Sequence, residues 1–267
     1  MIGGAASFGP DLPYPPNPDY GSGATRRRIE LQGLPGRVDA WLADNFHEMT
    51  CILLHDGWVV TGIEGSMIRI PTTAYPGAIA VLQELVGRPI ESSGADLFAG
   101  GRSRRNCTHL FELATFALAH ARRGNIDRVY EAIVPDEKNG LAMAEVSRDG
   151  RTVHRWSISG GAITAPANLA GKPTGKGFAS WAHTTFGGEE LEAAIMLARL
   201  HYLSIGRRWL TEVFTGEPIT RNAELAGVCH AYPPSRRAGA NRRHPLGCNH
   251  HERLGIGGDR AALQPGE

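Results

Sequence analysis

Two-residue turns constrain this chain more than any other feature. Asp56-Gly57 stands between "MTCILLHD" and "GWVVTGIEGSMIRI", while Asn139-Gly140 and Asp149-Gly150 separate "RVYEAIVP", "LAMAEVSRDG" and "RTVHRWSISGGAIT". These dipeptides accept positive φ at low cost and match the twist of antiparallel strands, so each predicts a turn between neighbouring strands. Between and after the strand runs lie helical ones. "YPGAIAVLQELVG", with Pro76 near its first turn and Gly87 past its end, reads as a helix, a second is predicted over Ala95–Ala99, and "RRNCTHLFELATFALAHARR" is a third. "FASWAHTTF" and "GEELEAAIMLARLHYLSIGRRWL" follow. The latter has Glu189, Glu190 and Glu192 near its positive end and Arg207 and Arg208 near its negative end, as the helix dipole favours.

The order strands, helices, strands, helices predicts an α+β fold: antiparallel sheet, helices on one side, two similar strand-then-helix halves. The predicted domain spans residues 26–230, with halves 26–124 and 125–230 that could share one continuous sheet. Met1–Thr25, with five prolines and no helical or strand period, is expected to be a flexible arm, the alternative being an extended strap whose Tyr14 and Tyr20 lie against a neighbouring subunit or a pocket mouth. The Arg-, Gly- and Pro-rich stretch 231–267 is expected to be a disordered tail.

Composition matters mainly for what it excludes. A net charge of +1 supplies no field to recruit nucleic acid or acidic lipid. No run approaches the roughly 18 apolar residues of a membrane helix, and the first residues lack the basic and apolar regions of a secretory signal. Four cysteines without a CxxC pair fit free thiols in a reducing compartment, so a cytoplasmic location is expected. "GKPTGKG" departs from GxxxxGK[ST], and neither GxGxxG after a parallel strand, GxSxG nor HExxH occurs, so no cofactor or metal is expected.

The third helix carries the candidate chemistry. At 3.6 residues per turn, Cys107, Phe111, Ala114, Leu118 and Ala121 share one face, and His109, Glu112, Phe116 and His120 share the opposite one. Cys107 and His109 then point about 200° apart and cannot hold one metal ion together. Cys107 is expected in the core and Asn106 at the N-cap. A helix this apolar is expected to be buried all round, so His109 and Glu112 need partners. They form either a structural pair or part of a pocket, with Glu112 as base or as orienter of His109. Arg105, beside the helix start, is a candidate for holding an anionic group. In "DNFHEMTC" a strand starting near Phe46 turns His47, Met49 and Cys51 to one side. Tyr75, in the loop before the first helix, is a further candidate. Cys229, His230, His244, Cys248, His250 and His251 offer soft ligands without paired spacing.

"YPGAIAVLQELVG" followed by "CTHLFELATFALAHA" resembles a bacterial family catalogued as a domain of unknown function. Its marks are a Pro-Gly helix start, here Pro76-Gly77, and a Cys-Thr-His-Leu helix, here Cys107-Thr108-His109-Leu110. The resemblance covers about Arg26 to Tyr232, and the arginine-rich end departs from it. It implies a relation to formaldehyde-releasing lyases of lignin-dimer (phenylcoumaran) catabolism: no cofactor, a small aromatic substrate, an acid and a base. Under that implication His109, Glu112, His47 and Tyr75 are the catalytic candidates, and Arg105, Phe116, Trp156 and Trp181 the substrate-binding ones. A noncatalytic binding protein for aromatic or acyl ligands and a thioester hydrolase are the alternatives. An exposed antiparallel edge would suit a homodimer.

Overall fold

The computed structural model describes residues 14–219, 229–231 and 239–243. Eight strands form one antiparallel sheet: β1 Ala24–Leu34, β2 Arg37–Asp44, β3 Glu48–His55, β4 Val60–Arg69, β5 Asp127–Pro135, β6 Ala142–Arg148, β7 Arg151–Ser159 and β8 Ala162–Ala165. Their order is β4-β3-β2-β1-β5-β6-β7-β8, two meanders joined through the β1–β5 pair. Asn139-Gly140 and Asp149-Gly150 have positive φ at both residues, as a type I′ turn requires. At Asp56 the carboxylate accepts the N–H groups of Trp58 and Val59, both at 2.8 Å. A further turn, Gly160-Gly161, divides "RTVHRWSISGGAIT" into β7 and β8.

Alternation decides which face is covered. Ile29, Leu31, Ala40, Leu42, Met49 and Cys51 point to the same side as Tyr130, Ala132, Ala144 and Trp156, and all are buried. The helices are α1 Ala78–Val81, α2 Gly94–Phe98, α3 Arg102–Arg105, α4 Thr108–Ala121, α5 Phe178–Thr185 and α6 Gly188–Ser204. α4 covers β1–β3 and α6 covers β5–β7, so each meander carries the long helix that follows it. The opposite face keeps partly exposed ion pairs such as Arg28–Glu30 (2.7 Å) and Arg28–Glu131 (2.6 Å). No helix among the described residues is long and apolar enough to cross a membrane.

Four local expectations need correction. The Pro76-Gly77 helix is one α-turn, continued as a 3-10 turn over Leu82–Leu85. Gly87 and Arg88 then bond to Val60, which draws the chain back to the sheet edge before a longer helix can form. Cys107, not Asn106, is the N-cap of α4; Asn106 is extended and donates its side-chain N–H to Arg102 O at 3.1 Å. The arm is ordered from residue 14: Asn17 bonds to Arg208 and Leu210 to Pro15, while Gly21 and Gly23 donate to Asp136. Part of the tail region is likewise packed, with Asn241 paired to Thr73. His244, Cys248, His250 and His251 lie outside the described residues.

Candidate active site

Where β1, β2 and α4 meet, the covered face becomes polar. In β1 the phase that buries Ile29 and Leu31 also buries Arg27, and in β2 the phase of Ala40 and Leu42 buries Asp44. Arg27 donates to Asp44 Oδ2 through Nη2 (2.7 Å) and Nε (3.1 Å), to Glu112 Oε1 through Nη1 (3.0 Å), and to His109 Nδ1 through Nη2 (3.0 Å). The other Glu112 oxygen accepts from Arg199 Nε of α6 at 2.9 Å. Breaking a buried pair in such a network leaves a charge with no compensation, a cost of several kcal/mol.

The turn after β2 places the second histidine. Asp44 Oδ1 accepts the backbone N–H groups of Phe46 and His47, both at 2.8 Å, and His47 Nδ1–H at 3.0 Å. The His47 ring lies 4.0 Å from that of His109 and stacks on Tyr75 at 5.8 Å, centroid to centroid. Two strand ends, a turn, a helix start and a loop thus converge on a few side chains.

The hydrogen bonds assign both imidazole tautomers. A carboxylate only accepts, so His47 donates from Nδ1, and in the neutral ring the lone pair sits on Nε2. That Nε2 is buried and has no hydrogen-bond partner among the described residues. A guanidinium only donates, so His109 accepts on Nδ1 and carries its proton on Nε2. Burial, then the charges of His47 and Arg27, push the His109 pKa well below the ordinary imidazole value, so it is neutral at pH 7. Burial alone would raise Asp44, but His47 and Arg27 outweigh it and hold the carboxyl well below the usual range. Two carboxylates, Asp44 and Glu112, face two guanidiniums, Arg27 and Arg199.

Asp44, His47 and His109 also offer ligand atoms within 4.8 Å of one another. A cation there would sit beside the Arg27 guanidinium, which donates to both Asp44 and His109.

Of the residues the sequence singled out, His47, Tyr75, His109 and Glu112 come together. Glu112 lies between two arginines, and Arg27 rather than His109 is its partner in the cluster. Arg105 instead pairs with Glu84 at 2.7 Å on the exposed side of α3. Phe116 packs edge-on against Tyr130 at 5.6 Å under α4. Trp156 and Trp181 lie 6.4 Å apart in the core of the second half, with Phe178 and Phe186. Cys107 is core, its thiol pushed by burial up to about 12. Arg27 and Arg199 are not singled out by the sequence, and Asp44 enters it only as the first residue of "DNFHEMTC", without a role. A charged residue in phase with buried apolar neighbours was the available signal for Arg27 and Asp44; Arg199 follows buried Glu192 and Met196 at helical spacing. Neither the protein-family models nor the curated proteins contain a match to this chain.

Proposed function

We propose that the chain is an acid–base lyase that needs no cofactor and acts on a lignin-derived aromatic dimer, releasing formaldehyde and leaving a stilbene. One observation carries the acid–base part: two imidazoles 4.0 Å apart are held in opposite tautomers, one offering a lone pair and the other an N–H. The dimer substrate rests on the resemblance at Pro76-Gly77 and Cys107–Leu110, and the polarity of the chemistry agrees with it.

In a phenylcoumaran the benzylic carbon bears an aryl ether oxygen, and its neighbour bears a CH2OH arm. His47 Nε2 takes the hydroxyl proton of that arm, and Asp44 stabilises the imidazolium formed. The carbon–carbon bond to the arm breaks, its electrons become the stilbene double bond, and formaldehyde departs. The benzylic C–O bond breaks as the ether oxygen takes up the electron pair. A neutral imidazole is a weak full acid but an effective hydrogen-bond donor, so His109 Nε2–H supports the developing aryloxide. The proton held by His47 then neutralises that oxygen and restores both rings.

The test is incubation of purified protein with phenolic dimers bearing a CH2OH arm, followed by formaldehyde and stilbene absorbance. Stoichiometric formaldehyde, lost in folded His47→Gln and His109→Gln variants, is the expected result. Thermal stabilisation by the dimers without turnover would replace the reading with a binding protein. Cleavage of acyl thioesters without formaldehyde would replace it with a hydrolase.

A further inference from the structure

We infer that Arg199, contributed by the second half of the chain, is the residue that anchors a singly charged oxyanion of the ligand, a carboxylate or a phenolate. The inference rests on reading the buried cluster as a substrate site. Arg27 is fully committed: its side chain has no exposure, and its N–H groups go to Asp44, Glu112 and His109. Arg199 is committed through Nε alone, to Glu112 Oε2 at 2.9 Å. Its Nη1 and Nη2 have no hydrogen-bond partner among the described residues. That leaves the end of the guanidinium open as a fork, the geometry that grips a planar oxyanion with two parallel hydrogen bonds.

Position supports the same role. The Arg199 side chain is 17% exposed, against 0% for Arg27 and Asp44 and 3% for His47 and Glu112, so among these paired side chains it is the one solvent reaches most. Its charge is felt by His109 and Cys107 at the start of α4 and by Tyr202 one turn further along α6. The bond to Glu112 fixes the guanidinium, so little side-chain freedom remains to be lost when an anion binds. Charge sets the ligand's valence. Two carboxylates, Asp44 and Glu112, already face the two guanidiniums, so every further negative charge adds to the cost of burial. A dianion would leave an excess in a largely buried site.

Two probes separate the possible oxyanions: benzoate, followed by calorimetry, and 4-nitrophenol, whose colour reports its ionisation while bound. Wild-type protein should bind at least one of them. If it takes the phenol, the bound form should ionise about one pH unit or more below the free form, roughly a tenfold preference for the anion. Arg199→Met, shown folded by circular dichroism, should lose benzoate binding and restore ordinary phenol ionisation. Arg199→Lys, which keeps the charge but not the fork, should lose benzoate affinity while keeping part of the phenol shift. Loss of packing around Glu112 alone would not move the ionisation of a bound phenol. Absence of binding by both probes, equal binding in Arg199→Met, or tighter binding of inorganic phosphate than of either probe would overturn the assignment. Arg199-dependent binding without formaldehyde release would keep the anchor and discard the lyase.

Discussion

The two halves place a glutamate at the fifth residue of their long helices, Glu112 in α4 and Glu192 in α6, and treat it alike. Each is reached by the first strand of its own half and by an arginine from the other. Glu112 accepts from Arg27 and Arg199; Glu192 accepts from the Tyr130 hydroxyl at 2.7 Å and from Arg123 at 2.6 Å. The divergence lies around them. The second strand of the first meander ends in Asp44, that of the second in Arg148; the second residue of α4 is His109, that of α6 is Glu189. In the second half those positions form a partly exposed ion pair, Arg148–Glu189 at 2.5 Å. In the first, the turn Asp44–His47 is long enough to fold a histidine back over the helix start, which the tight Asp149-Gly150 turn cannot do. One scaffold thus supports a brace on one side and a buried pair of imidazoles on the other, the difference being turn length and burial.

The comparison breaks most visibly at His47. His47→Ala should cost about 10²–10⁴-fold in kcat, whereas Glu192→Gln should leave kcat essentially unchanged; equal losses would remove the distinction between the halves. Stability should divide the same way. Arg27→Met removes the cation shared by two buried carboxylates and should cost about 3–5 kcal/mol in urea unfolding, while Arg148→Met should cost about 1 kcal/mol or less.

Acid provides a third contrast. Burial, then Arg208, lowers the His201 pKa to about 4, and His109 is depressed as well. A histidine depressed in the native state binds its proton first in the unfolded chain. Stability is therefore complete above about pH 6.5 and falls as pH drops below it. His201 alone should cost on the order of 3 kcal/mol by pH 4; a urea midpoint that stays flat between pH 7 and 5 would contradict this. The smallest effect concerns metal. Dialysis against a chelator should leave turnover unchanged, and activity lost there and restored by zinc would turn Asp44, His47 and His109 into ligands.

Much of the fold could be read from local chemistry. Asp-Gly and Asn-Gly turns specify hairpin geometry within a few residues, and the apolar run of α4 announces a buried helix before any partner is known. The same locality marked His109, Glu112 and His47, because a polar residue in an apolar pattern stands out. It failed for Arg105, Trp156 and Trp181, whose neighbours are set by where α3 ends and how the second meander packs.

By itself, then, the amino-acid order determined the antiparallel strands, the two long helices and the need of His109 and Glu112 for buried partners, since these follow from backbone preference and period. Only the tertiary structure decided which partners they received. Arg27, Asp44 and Arg199 lie 82, 65 and 90 residues away from His109 in the chain. What joins them is the register of β1 against β2 and the crossing of α6 beside α4, and no local rule reports a contact made across that distance. The tautomers, and with them the division of labour between the two histidines, follow from those contacts alone.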